Sequence, residues 1–511
     1  MEHLISLTDL LTRQKLHQIN IIDELNNPNN KMTILYDAIA SGEVKTDHDA
    51  LALMYNGNGK LGTLNRLKNR LYKRLLNSIF FIDQSGPNYK DIFEAGKNSY
   101  KNYAAIKILL ANRKRLVAID LAKKTLKVTS KFEFTDLNYL LSSILTTHFA
   151  SYTSNLKKYK SYRKKRDYYL KALSAEQEVE ELYGYFGLTM MKNKTGVDSK
   201  FTEFHLQKIK EMRLLQKSIK TTRFNLYTFL YQANYYLEFS NYKSLIEVAQ
   251  EGIAFYKKKG IKSVDADYTL RTREALGQFL SNNYAEAQNL FKKNLEITDP
   301  RTSNWFSTYN YLFATYINSE LYLKAYEALS IVFSKEEFES TLPLLVQLFK
   351  IKEAYIHFLV ELGKIDPEKS DQEPLRPFRL NRFLNDVPTY SKDKRGVNIS
   401  ILIIQMILLV QNKKHGQIID RLDALNMYSH RYLRSDHTFR SNCFIKMLTK
   451  LPDADYHPIR WHRYVEKYRK RLDEHPFELS YHNLDLEVIP FETLYDLVIE
   501  MLEQQKGIAS T

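Results

Sequence analysis

The densest run of chemically capable side chains lies late in the chain. His430, Arg431, Tyr432, Arg434, His437 and Arg440 are followed by Arg460, Trp461, His462, Arg463, Tyr464, Tyr468, Arg469, Lys470 and Arg471. Guanidinium forks grip phosphate oxygens and aromatic faces stack on unpaired bases, so this mixture suits a groove for single-stranded nucleic acid. The same residues fit an amphipathic helix with Trp461, Tyr464 and Tyr468 turned inward, and their helical spacing favours that second reading. Two earlier runs are also basic. Thr63–Arg74 has five bases, among them Arg66, Arg70 and Arg74, and no acid; Lys157–Tyr169 has seven bases, including Arg163 and Arg166, against one acid. Residues 412–471 hold fourteen bases and six acids. With a net charge of +16, the rest of the chain is slightly acidic. Charge gathered into patches attracts polyanions, whether nucleic acid or acidic protein segments.

Catalytic and metal chemistry find less support. Seven of the thirteen histidines fall between His415 and His482, but no pair has the helical or turn spacing that a metal site needs, and no metal or cofactor is expected. Cys443, the single cysteine, sits between Asn442 and Phe444 in a helical pattern and reads as a small buried hydrophobe. GNGKLG is not a phosphate loop, because Leu61 follows Lys60 and no apolar strand precedes it. TDHDALALMY and LNRLKNRLYKRLL, with Thr46 and Thr63 as their caps, could be a helix-turn-helix. The loop between them is longer than that motif uses, which favours an ordinary helical hairpin. No reaction is written in these residues, and a non-enzymatic protein is expected.

The elements that must position these groups are helices. The 511 residues include only 16 Gly and 12 Pro, with no proline between Pro87 and Pro300, so long helices run there unbroken. Aligning Tyr242, Tyr284 and Tyr322 places Leu245, Ala287 and Ala325 three residues on and Ala249, Phe291 and Leu329 four further: one helical face written three times. Ala118 and Ala122 repeat that spacing earlier. Pro367, Pro374, Pro377 and Pro388 mark a boundary, beyond which no period joins the helices to the repeats. The apolar run Val397–Val410 contains Asn398, Ser400 and Gln405, is too short to span a bilayer, and reads as a buried helix. The acid at Glu2 and the lack of an apolar core before Arg13 argue against a secretory signal, and a lone cysteine fits a reducing compartment. A cytoplasmic protein without a membrane partner is expected.

The helix pairs over residues 224–333 resemble tetratricopeptide repeats. Ala233 and Tyr236, Ala275, and Tyr309, Leu312 and Tyr316 stand where that family packs its first helix. The chain departs from the pattern in its spacing of 42 and then 38 residues against about 34. It departs also at Gln232, Glu274, Arg271 and Gln278, which are polar at packing positions. The resemblance implies an all-α, right-handed superhelix of antiparallel helix pairs over residues 88–365. An N-terminal helical unit (1–87), a proline-rich linker (366–395) and a C-terminal helical domain (396–511) complete the expected organisation. It further implies a groove lined by Asn234, Glu238, Thr272, Asn310 and Asn318 that binds a protein or peptide segment, acidic if the basic patches take part. The alternative is a nucleic-acid-binding regulator using Arg66, Arg70, Arg74, Arg163, Arg166, Arg431, Arg434, Arg460, Trp461, Arg463, Arg469 and Arg471.

Overall fold

With so few glycines and prolines, what divides this chain is a recurring turn. The computed structural model describes residues 1, 4, 5, 8, 30–55, 60–79, 90–192, 198–261, 263–386, 397–432, 439–481 and 484–507. Among them the protein is all-α, without a strand, and forms two compact units, 1–173 and 174–511.

The first unit opens with α1 (Lys31–Ala40), α2 (Asp47–Tyr55) and α3 (Leu61–Ile79), which bury Leu35, Val44, Ala50, Leu64, Leu71 and Leu75 together. A capping box starts α2: the Asp49 amide donates to Thr46 Oγ1 at 3.3 Å, and the Thr46 amide donates to Asp49 Oδ2 at 2.8 Å. Thr63 is not the cap expected for α3. The helix begins two residues earlier, and the Thr63 amide is already bonded to the Lys60 carbonyl at 2.9 Å. Then come α4 (Lys90–Ala111), α5 (Arg115–Lys131), α6 (Thr135–Ser151) and the 37-residue α7 (Leu156–Lys192), within which the division between units falls. Ala118 and Ala122 are fully buried in the α4–α6 core.

The second unit continues with α8 (Ser199–Leu215), α9 (Thr222–Glu238), α10 (Tyr242–Lys259), α11 (Val264–Leu280), α12 (Tyr284–Ile297), α13 (Ser303–Asn318), α14 (Tyr322–Phe333) and α15 (Pro343–Glu361). After α16 (Leu380–Asp386) come α17 (Val397–Gln411), α18 (His415–Tyr432), α19 (Phe439–Leu448), α20 (Pro458–Asp473) and α21 (Phe491–Lys506). One buried apolar cluster runs from Phe229 in α9 to Leu502 in α21.

At the end of the first helix of each pair, an amide bonds the carbonyl five residues back. The pairs are Lys114 to Leu109, Asn241 to Tyr236, Asn283 to Gln278, Leu321 to Tyr316, Lys364 to Leu359 and Lys414 to Leu409, all at 2.8–2.9 Å. The residue before each donor has positive φ: Arg113, Ser240, Asn282, Glu320, Gly363 and Lys413. This closure satisfies carbonyls that a helix end leaves open, and it sets the second helix back against the first. Tyr242, Tyr284 and Tyr322 each open a second helix. Leu245, Ala287 and Ala325, with Ala249, Phe291 and Leu329, are all 0% exposed, so the thrice-written face is the packed one. Burying a side chain the size of Phe291 contributes about 1.5–3 kcal/mol.

One turn among the C-terminal helices shares the closure of the earlier helix pairs. The turn at Lys414 repeats the geometry, His415 opens α18, and Ile418, three residues on, is 0% exposed. Helices α10 and α11 approach closely at two glycines. A Cβ on Gly277 would lie 2.6 Å from Ile246 Cγ1, and one on Gly252 would lie 2.8 Å from Leu270 Cδ2. The polar departures inside the helix pairs are only partly satisfied: Gln250 Nε2 donates to Glu274 Oε1 at 2.8 Å and Gln232 Nε2 donates to the Thr228 carbonyl at 2.9 Å, but the buried Gln232 Oε1 has no partner. The described part of the proline-rich stretch is mostly exposed but tied to its neighbours. The Leu375 amide donates to Tyr326 Oη at 2.9 Å, and Phe378 stacks on His357.

Candidate functional site

The second unit carries a polar seam inside an otherwise apolar assembly. It is built where the described non-helical residues 474–481 and 484–490, between α20 and α21, meet side chains from five different helices. Tyr242, at the start of α10, donates to the Leu479 carbonyl at 3.2 Å. Tyr311 of α13 hydrogen-bonds Tyr481, and its ring stacks on Phe291. Lys352 of α15 is the cation whose field acts on Asp485, and the Ser400 hydroxyl of α17 donates to the Asp485 carbonyl. Arg440 of α19 donates to Glu487 at 2.9 and 3.1 Å, to Glu492 at 2.9 and 2.6 Å, and to the His475 carbonyl. Leu479, Leu484, Val488 and Ile489 are buried in the common core.

The electrostatics follow from burial. Lys352 is 2% exposed, its ammonium donates to Asn310 Oδ1 and to the Asn310 carbonyl, and it lies 5.0 Å from the Phe313 ring centre. Desolvation, opposed by Asp485, brings its pKa down to about 8. Asp485 moves the other way, because burial raises its pKa against the pull of Lys352. Burial likewise raises Glu487 despite Arg440. At Arg440 desolvation works against the charge, but hydrogen bonds from Glu492 and Glu487 outweigh it and hold the guanidinium firmly protonated. Burial also raises Tyr311 and Tyr242.

Of the residues expected to line a groove, Asn310 belongs to the seam, as the acceptor for Lys352. Asn234 lies beside it: its Oδ1 accepts from Arg273 Nε at 3.0 Å, and Arg273 is among the charges acting on Tyr311. Thr272 points elsewhere, donating to the Tyr268 carbonyl and accepting from Asn294 of α12 at 2.9 Å. Asn318 donates to the Ala314 carbonyl of its own helix, and Glu238 is half-buried at the end of α9. In one case the residue that meets the segment is the next one along, Tyr311 after Asn310. One position turns a helix by roughly 100°.

The basic residues distribute differently. Arg66 and Arg70 are exposed on α3, Arg74 is half-buried, and Lys68 is held by Asp47 at 2.7 Å. In α7, Arg166 donates to Asp167 at 3.0 and 2.7 Å, and Arg163 stands 3.7 Å from the same carboxylate. Arg434 and the Arg431 side chain lie outside the described residues. In α20, Arg460 pairs with Asp455 at 3.0 Å, Arg469 lies 3.4 Å from Asp473 and over the Tyr495 ring, and Arg463 and Arg471 are exposed. Trp461 is corrected from stacking platform to core: it is 0% exposed, and its indole N–H donates to the Met447 carbonyl at 2.8 Å. Tyr464, expected inward with it, is 49% exposed.

Sequence reasoning passed over Lys352 and Ser400, although each carried a signal. Leu345, Phe349, Lys352, Ile356 and Leu359 form one helical stripe, so a lysine stood in an apolar series. Ser400 interrupts the most apolar helix of the chain. Among the described residues no cluster of three or more His, Cys, Asp or Glu could hold a metal ion, and no helix is long and apolar enough to cross a membrane. No family model, curated protein or solved structure matches this chain.

Proposed function

We propose that this protein is a non-catalytic recognition scaffold of the cytoplasm. Its TPR-like helix pairs, wound as a right-handed superhelix, bind a protein or peptide segment along the seam. The observation that carries this reading is the convergence of side chains from five helices on a non-helical stretch of chain: Tyr242, Ser400 and Arg440 donate to its carbonyls and to a carboxylate, Tyr311 hydrogen-bonds Tyr481, and Lys352 acts on Asp485 through its field. Segment recognition needs such fixed donors for a backbone together with apolar positions that read alternate side chains. A nucleic-acid-binding regulator is the second reading, favoured by the half-exposed Tyr464 beside Arg460 and Arg463 on α20. The two separate when the full chain is titrated with an array of acidic peptides and with mixed-sequence single-stranded and duplex oligonucleotides at about 50 mM and about 200 mM salt. Peptide binding without oligonucleotide binding is expected. Oligonucleotide binding alone, weakening steeply with salt, would replace the first reading by the second.

A further inference from the structure

The first unit gathers basic charge at one end of its helices. Residues 95–119 hold six Lys or Arg and no Asp or Glu, and residues 137–166 hold seven and none. The fold brings the two stretches together. A three-residue turn joins α4 to α5, a four-residue turn joins α6 to α7, and the Arg115 guanidinium at the first lies 3.5 Å from the Tyr152 ring centre at the second. Lys158 of α7 stands over the Phe149 ring, which stacks on Tyr162, so the start of α7 is held against the end of α6. The acids that follow the two stretches are already paired: Asp120 with Lys124 at 2.8 Å and Asp167 with Arg166 at 2.7 Å. The same two turns carry apolar side chains that face water. Leu116 is 81% exposed, Leu156 is 62% exposed, and Val117 and Tyr152 are exposed with them. Exposed aliphatic side chains set among bases mark a surface that meets a partner.

The combination separates the occupants. Nucleic acid satisfies the bases through its phosphates and stacks on rings, but it leaves Leu116, Val117 and Leu156 in water. A second copy would set thirteen bases against thirteen across a two-fold contact, with no acid to receive them. An acidic protein needs a matching pocket for a side chain as protruding as Leu116, whereas lipid adapts its shape to it. An anionic bilayer surface takes both kinds of group: headgroups pair with Lys and Arg, and the acyl boundary receives the aliphatic side chains.

We propose that this end of the first unit is a peripheral docking surface for an anionic membrane. Leu116, Val117 and Leu156 enter the acyl boundary, while the exposed Arg113, Lys114, Lys157 and Lys160 rest on the headgroups. No described helix is long and apolar enough to cross a membrane, and lying against one needs no such helix. Apolar insertion and a basic rim together supply the two signals that stable surface binding takes. The surface uses no residue of the seam and is independent of the recognition reading.

The test uses the full chain and vesicles of phosphatidylcholine, alone or with about 30% phosphatidylserine, pelleted at about 100 mM salt. Wild type should pellet with the anionic vesicles and stay in solution with the neutral ones. Each base removed weakens binding about fivefold, so Arg113→Gln, Lys114→Gln, Lys157→Gln and Lys160→Gln together should cost more than about a hundredfold. Leu116→Ser with Leu156→Ser should cost about tenfold or more and leave the salt dependence unchanged. In Leu116→Trp the new indole joins the buried Trp305 and Trp461, and emission should shift to the blue when anionic vesicles are added. Every substituted position is exposed, so the variants should melt as wild type does. Failure of wild type to bind anionic vesicles overturns the proposal. So does binding that the serine pair leaves unchanged, or an unmoved Leu116→Trp emission, because bases alone would then be holding a polyanion. Oligonucleotide that displaces the vesicles, and whose own binding the serine pair does not weaken, overturns it in favour of nucleic acid.

Discussion

Lys352 gives a prediction whose sign and size can both be worked out. Its ammonium is buried among α13, α15 and the segment carrying Asp485, and its pKa falls from 10.5 to about 8. A folded-state value below the unfolded one means that, between about pH 8 and about pH 10.5, the unfolded chain holds a proton that the folded chain has released. Stability attributable to this group therefore rises with pH across that window. At about pH 7 the charged form costs about 3 kcal/mol relative to a neutral amine, and by about pH 9.5 roughly 2 kcal/mol of that is recovered. Cys443 and the buried tyrosines act in the opposite direction, since burial raises their pKa values and their contribution is lost as the unfolded groups ionise. They are common to wild type and Lys352→Met and cancel in the difference. Urea unfolding of both proteins, followed by far-UV circular dichroism at about pH 7 and about pH 9.5, should show wild type gaining about 2 kcal/mol on the variant as pH rises. Parallel pH profiles would mean that Lys352 is solvated, and the account of the seam as a desolvated cationic site would fall.

Two further outcomes test the packing. Gly277→Ala and Ala287→Phe should each destabilise the protein by about 1–3 kcal/mol through overpacking, most directly at Gly277, where the new methyl meets Ile246; unchanged melting temperatures would show the α10–α11 approach to be looser than described. Trp461→Ala should cost about 3–5 kcal/mol, whereas Arg463→Ala and Arg471→Ala should each change stability by less than about 0.5 kcal/mol. Thermal melts of the three variants check this, and an arginine variant melting as low as the tryptophan variant would contradict the division of α20 into buried and exposed faces.

The helix pairs were legible because their determinants are local. A left-handed turn residue, a tyrosine opening the second helix and a small or apolar residue three positions on all lie within a few residues of one another. Tyr242, Tyr284 and Tyr322 could therefore be aligned from sequence. At the C-terminal turn only two of these determinants recur, the left-handed Lys413 and the buried Ile418; His415 replaces the tyrosine and Lys414 follows Lys364 by 50 residues, so no period shows in the sequence. The seam was legible only in part. Asn310 was named, but Tyr311 sits one position along, and periodicity alone does not fix a helix face to that precision. The segment between α20 and α21 carried no local signal: Leu479 meets Tyr242 across 237 residues. In α20 the spacing of Trp461, Tyr464 and Tyr468 was compatible with an inward stripe, and only packing against Met447 and Tyr495 distinguishes Trp461 from Tyr464.

The position of that segment in the chain also matters during synthesis. The contacts within each helix pair are short-range and can form as soon as both helices have emerged, whereas Leu479, Tyr481 and Asp485 meet side chains made long before them. Roughly 125 residues separate the end of α15 from Glu487. At about 5–20 residues per second, the ribosome needs about 6 to 25 seconds to traverse them. For that interval the nascent protein presents Tyr242, Tyr311 and Lys352 without the segment that later covers them.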